Sequence, residues 1–132
     1  MDDLRIDERF PGLTAPELWD AWTTADGVCS FWAQEATIDA TVGGPYVLRW
    51  PAMDWTMRGE VTDVDPGRSI TVTWSWDHEP DEEPQLVTLG ISPDGDGSRL
   101  SIHHRPHDAG QAERRASQEE GWRHFSDRLR DR

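Results

Sequence analysis

The chain contains no lysine: all thirteen basic residues are arginine, set against twenty-six Asp and Glu, for a formal net charge of -13. Such a surface repels phosphate backbones and anionic headgroups, which argues against nucleic acid and against a membrane surface as partners. A salt-loaded cytoplasm, where screening makes a large net charge tolerable, and a GC-rich coding sequence both explain arginine-only basicity, and neither bears on a ligand. Cysteine occurs once, at Cys29, so no intramolecular disulfide forms and nothing points to an oxidising compartment. In a predicted helix a lone Cys reads as a small core residue, and no base stands beside it to make a nucleophile. No apolar run is long enough to cross a bilayer. The Met1-Asp2-Asp3-Leu4 start lacks the basic and apolar regions of a leader, so a soluble, cytoplasmic protein is expected. A phosphate loop, a Cys pair, a His-Glu-x-x-His helix and a nucleophile elbow are all missing.

Tyrosine is nearly absent as well, with one residue against eight tryptophans. Each indole buries a large apolar area, so several must sit in a core or around a pocket. At 132 residues the length suits one domain spanning 1–132, with a core that needs no disulfide or metal.

Period and punctuation divide the chain. Leu4–Phe10 alternates like a strand and Pro11-Gly12 ends it. Thr14-Ala15-Pro16-Glu17 reads as a capping box opening a helix with Leu18, Trp19 and Trp22 on one side. After Ala25-Asp26-Gly27 a second short helix carries Val28, Phe31 and Trp32. From Ala36 the period is two: Ile38 and Ala40; then, past Gly43-Gly44, Tyr46, Leu48 and Trp50; then Trp55, Met57, Gly59 and Val61. Asp65-Pro66-Gly67 turns the chain into Ile70, Val72, Trp74 and Trp76. The acidic, proline-bounded His78–Pro84 segment cannot be a central strand and reads as a solvated loop at a cavity rim. Val87, Leu89 and Ile91 follow, then a turn at Pro93–Gly97 without the Glu that a calcium loop needs, then Leu100, Ile102 and His104.

The last segment, from about Ala109 to Leu129, is helical. Gln111, Arg115, Gln118, Trp122, Phe125 and Leu129 fall within ~40° of one line at ~100° per residue. This stripe is apolar toward its C-terminus and polar toward its N-terminus, as suits a helix whose first half faces a wet cavity.

In order, Val42-Gly43-Gly44-Pro45-Tyr46, Gly59-Glu60-Val61 running to Val64-Asp65-Pro66, Thr73-Trp74-Ser75-Trp76 and Gly121-Trp122 resemble the activator of heat-shock protein 90 ATPase homologue family, within the START-like (SRPBCC) superfamily. The resemblance covers nearly the whole chain. It implies an α+β helix-grip fold: a curved antiparallel sheet of about six or seven strands wrapped around a long C-terminal helix, with two short helices after the first strand.

On that fold the expected function is non-covalent binding of a small hydrophobic or aromatic molecule between sheet and helix, without a cofactor. Tyr46, Trp50, Trp55, Met57, Trp74 and Trp76 are the expected walls. His104 with Arg115 or Gln118 are the expected polar anchors. These positions assume inward parity, which one bulge would reverse. His103 and His104 point to opposite faces and cannot share an ion, and the Pro106 bend leaves His107 undetermined, so no metal site is expected. The resemblance also implies two alternatives. One is a polyketide cyclase/aromatase-like enzyme with His104 as base and Arg115 as oxyanion partner; the other is a chaperone-associated role on the outside of the sheet. Chains of this architecture also pair into homodimers, which a charge of -13 opposes at low salt.

Overall fold

The computed structural model describes residues 3–105 and 112–131. The chain runs β1 (Leu4–Phe10), α1 (Ala15–Thr23), α2 (Ala25–Cys29), β2 (Glu35–Ile38), β3 (Pro45–Trp50), β4 (Trp55–Asp65), β5 (Ser69–Trp76), β6 (Gln85–Asp94), β7 (Gly97–Arg105) and α3 (Ala112–Arg130), with a 3₁₀ turn at Pro51–Met53. The strands form one seven-stranded antiparallel sheet in the order β1-β7-β6-β5-β4-β3-β2. From β2 to β7 the chain meanders, whereas β1 lies at the far edge against β7, so α1 and α2 carry the chain across from one edge of the sheet to the other. Helix α3 packs on the same concave face. This is the helix-grip fold expected from the sequence. Gln111 and His107 lie outside the described residues, as does the start of the expected C-terminal helix before Ala112.

Local chemistry explains the elements. Thr14 and Glu17 form the expected capping box, with Glu17 N–H donating to the Thr14 hydroxyl at 3.3 Å and Thr14 N–H to the Glu17 carboxylate at 3.0 Å. Gly43 takes φ +87, and a Cβ on Gly44 would sit 2.3 Å from the Asp39 carbonyl oxygen. Their backbone groups pair with Val61 in β4, tying the turn before β3 into the sheet. Only glycine fits both requirements, which is why this pair is so visible in the sequence.

Inward parity holds along β1, β3, β5, β6 and β7: Ile70, Val72 and Trp74 are buried, as are Gln85, Val87, Leu89 and Ile91, and Leu100, Ile102 and His104. Strand β4 carries a register shift between Val61 and Asp63, so Met57 and Val61 face the core before it while Val64 takes the inward side after it. Such a bulge sharpens the strand's bend. Helix α3 is fastened to β1 through Glu8, whose carboxylate accepts from Arg123 at 3.1 Å and from Arg130, while Arg130 also lies over the Phe10 ring at 4.7 Å. Because Arg123 is 48% exposed, the pair adds about 1 kcal/mol at most, and its main effect is to fix how α3 crosses the sheet. No helix among the described residues is long and apolar enough to cross a membrane.

Candidate functional site

A cavity of about 1250 Å³ lies between α3, the segment following α2, and the ends of β3, β4 and β5 that carry Trp50, Trp55 and Trp76. Six of the eight tryptophans line it: Trp32, Trp50, Trp55, Trp74, Trp76 and Trp122. Trp32 is the hub. Its ring lies 5.9 Å from that of Trp74 in a stacked arrangement, 5.4 Å from Trp122, 6.0 Å from Trp50, 5.3 Å from Trp22 and 5.8 Å from Phe125. Offset and tilted geometries of this kind are the favourable ones for aromatic pairs. The Trp50 indole N–H donates to the Trp32 carbonyl at 2.9 Å, so the wall from β3 holds the segment after α2 in place.

Behind the aromatic wall runs a buried polar chain. The Trp122 indole N–H donates to His104 Nδ1 at 3.0 Å, and His104 Nε2 lies 2.7 Å from Gln85 Oε1, which also accepts from the Gln118 amide at 3.0 Å. An indole can only donate, so Nδ1 is the acceptor, and Nε2 carries the proton that it gives to Gln85. The network assigns His104 the neutral Nε2–H tautomer. Its ring is fully buried and backs the cavity wall beneath Trp74 and Trp122, with ring centres at 5.8 Å and 6.0 Å.

The mouth is charged. Arg114 lies 3.6 Å from a Glu79 carboxylate oxygen and 3.5 Å from one of Glu82, bridging α3 to the loop between β5 and β6. His78 and Glu113 also border it. The acidic segment expected at the rim is therefore at the rim. Cys29 opens onto the same mouth and is exposed, not the core residue that the sequence suggests, because α2 ends there and turns it outward. Partial burial, then the Asp26 and Glu35 carboxylates, push its thiol above its ordinary value, which works against thiolate chemistry.

Of the residues expected from sequence, Trp50, Trp55, Trp74, Trp76, His104 and Gln118 border the cavity and Tyr46, Met57 and Arg115 do not. Tyr46 and Met57 do point inward, but into the packed core and not into the cavity. There the Tyr46 hydroxyl donates to the Trp22 carbonyl at 2.5 Å, and Met57 is fully buried. Arg115 is displaced for a helical reason. Trp122, Ser126 and Leu129 are the buried face of α3, and the cavity lies to one side of it, along Arg114, Gly121 and Phe125. Adjacent helix residues differ by ~100°, so Arg114 takes the mouth and Arg115 continues the line of Trp122. Trp32, Gln85 and Arg114 were not foreseen as site residues. Gln85 was detectable, since it shares parity with Val87, Leu89 and Ile91.

Burial holds the Tyr46 phenol far above its ordinary value of 10.0. Below about pH 10 it is protonated in folded and unfolded chains alike. Above that, the unfolded chain ionises while the folded one keeps its proton, so stability is lost as pH rises. The expected slope is up to about 1.4 kcal/mol per pH unit. Urea unfolding on either side of pH 10 is expected to show this fall, and Tyr46→Phe to flatten it.

Residues 13–132 match the family model described as Activator of Hsp90 ATPase homolog 1-like protein. The chain belongs to that family. Among curated relatives, the human "Activator of 90 kDa heat shock protein ATPase homolog 1" is 28% identical over 114 residues, covering 86% of this chain and 32% of the human protein. The chain thus spans about a third of that relative's length. Among solved structures, the protein MLL2253 from Mesorhizobium loti superposes with a TM-score of 0.85 at 17% identity, covering 98% of this chain and 95% of its own. DynU16, from the dynemicin biosynthetic locus, superposes with a TM-score of 0.82 at 18% identity, covering 99% of this chain and 46% of its own. At these identities the two structures bear on fold alone. The family match agrees with the resemblance that the sequence carries, and the helix-grip architecture agrees with the fold that the resemblance implies.

Proposed function

We propose that this member of the family holds a small apolar or aromatic molecule, non-covalently, in the cavity between sheet and α3. The observation that carries the reading is the lining itself: six tryptophans around about 1250 Å³, interspersed with polar side chains that include Gln34, His104, Ser117 and Gln118. Ligand sites combine aromatic and apolar walls with polar groups that orient the ligand. Calorimetric titration with 2-naphthylmethanol, a neutral flat probe, tests it. Saturable one-to-one binding is expected, weakened at least about ten-fold by Trp76→Ala, which removes an indole from the wall. Absence of binding to the wild-type chain contradicts the reading.

A cyclase-like reaction with His104 as base finds little support in the geometry, because the Nδ1 lone pair is taken by Trp122 and Nε2 carries the proton given to Gln85. The human relative's name suggests a chaperone-associated role. Such a role would use the outer face of the sheet and leave the tryptophan-lined cavity unexplained.

A further inference from the structure

Resting on the reading that the cavity holds an apolar or aromatic molecule, we infer that its preferred occupant is a hydrophobic organic cation, an amine or quaternary ammonium whose charged end sits at the mouth. Three features converge there. The first is an aromatic corner. The Trp55 ring stacks on His78 at 5.4 Å and 23°, and Trp76 packs against both, at 6.2 Å and 69° from Trp55 and 5.4 Å from His78. Trp55 remains 40% exposed, so this corner is open to an incoming group. Indole faces carry the negative end of the ring quadrupole and attract ammonium groups more strongly than any other side-chain ring.

The second feature is the carboxylates beside that corner. Glu79 and Glu82 border the cavity from the loop that follows Trp76, and Glu113 borders it from α3. The third is the guanidinium already lodged among them. Arg114 meets Glu79 and Glu82 at 3.6 and 3.5 Å, longer than the ~2.7–2.9 Å of a tight charge-assisted hydrogen bond. Its side chain is only 19% exposed, so a positive charge is already sheltered at this mouth. The second arginine of the lining, Arg128, lies at 6.0 Å over the face of Phe125. An incoming carboxylate would meet three carboxylates at this mouth, beside an Arg114 that already faces two of them through its terminal nitrogens. A net charge of -13 further concentrates cations around the mouth at low salt. On this assignment Arg114 competes with the ligand's charged end for Glu79 and Glu82.

The test uses three probes with one ring system: (2-naphthyl)methyl-trimethylammonium, 2-naphthylmethanol and 2-naphthylacetate, titrated calorimetrically into the intact chain at low ionic strength. The cation is expected to bind at least about ten-fold more tightly than the anion, on the scale of a partly desolvated cation–π contact, with the neutral probe between them. Arg114→Gln is expected to tighten the cation further, and Glu79→Gln with Glu82→Gln to weaken it while leaving the neutral probe nearly unchanged. The anion binding as tightly as the cation, with that binding lost in Arg114→Gln, would overturn the inference and make Arg114 an anion anchor. Equal binding of all three probes would also overturn it while leaving the cavity reading standing. Failure of all three to bind would contradict the cavity reading itself.

Discussion

Replacing Trp32 with alanine is expected to lower the free energy of unfolding by about 3–5 kcal/mol, the range for removing a large aromatic from a packed interior. Trp32 touches the rings of Trp22, Trp50, Trp74, Trp122 and Phe125, so its loss unpins the wall from β3, the wall from β5 and α3 together. Chemical denaturation measures the effect. Because the alanine variant risks not folding, Trp32→Phe is the companion, with an expected loss of about 1–2 kcal/mol and the cavity preserved. Trp55→Ala, at the mouth and 40% exposed, is expected to change stability by less than about 1 kcal/mol. Equal losses for Trp32→Ala and Trp55→Ala would contradict the hub role of Trp32.

The second large effect is at His104. His104→Leu removes the acceptor for the Trp122 indole N–H and strands a buried donor, at an expected cost of about 2–4 kcal/mol. Trp122→Phe alone leaves Nδ1 without its donor. The double variant removes both and is expected to cost less than the sum of the singles, a non-additivity that reports a direct interaction. Nitrogen NMR of the wild type is expected to show Nε2 protonated and Nδ1 as an acceptor. Additive single losses, or the opposite tautomer, would contradict the buried chain and return a free basic nitrogen to the enzymatic alternative.

The fold was legible because its signals are backbone requirements. Gly43-Gly44, the Thr14–Glu17 capping box and the period of two in β5 to β7 each demand a particular local geometry whatever fills the core. The walls from β5 were legible for the same reason: parity alone turns Trp74 and Trp76 inward. Parity says which face of a strand a residue takes and nothing about where along the strand the cavity lies, which is why Tyr46 and Met57 turn inward yet lie outside the cavity lining. Arg114 borders the cavity where Arg115 is expected, because the helical stripe locates the buried face of α3, while a cavity at the helix's side selects residues one step, ~100°, away. The β4 bulge left no signal that alternation could detect, except that Val61 and Val64 are three apart and both turn inward. The hydrogen bonds that fix the His104 tautomer depend on pairing Gln85 and Trp122 with it from two other elements, a tertiary relation that one-dimensional pattern does not carry.

The most direct test of the cavity reading uses the tryptophans themselves. Each of the eight indoles gives one N–H signal in a proton–nitrogen correlation spectrum, and titration with 2-naphthylmethanol reports on all of them at once. Saturable shifts are expected at the cavity-lining residues Trp32, Trp50, Trp55, Trp74, Trp76 and Trp122, with the signal of Trp19, which lies outside the lining, unmoved. An unchanged spectrum at saturating probe, or shifts confined to Trp19, would contradict the proposal that this cavity is the binding site.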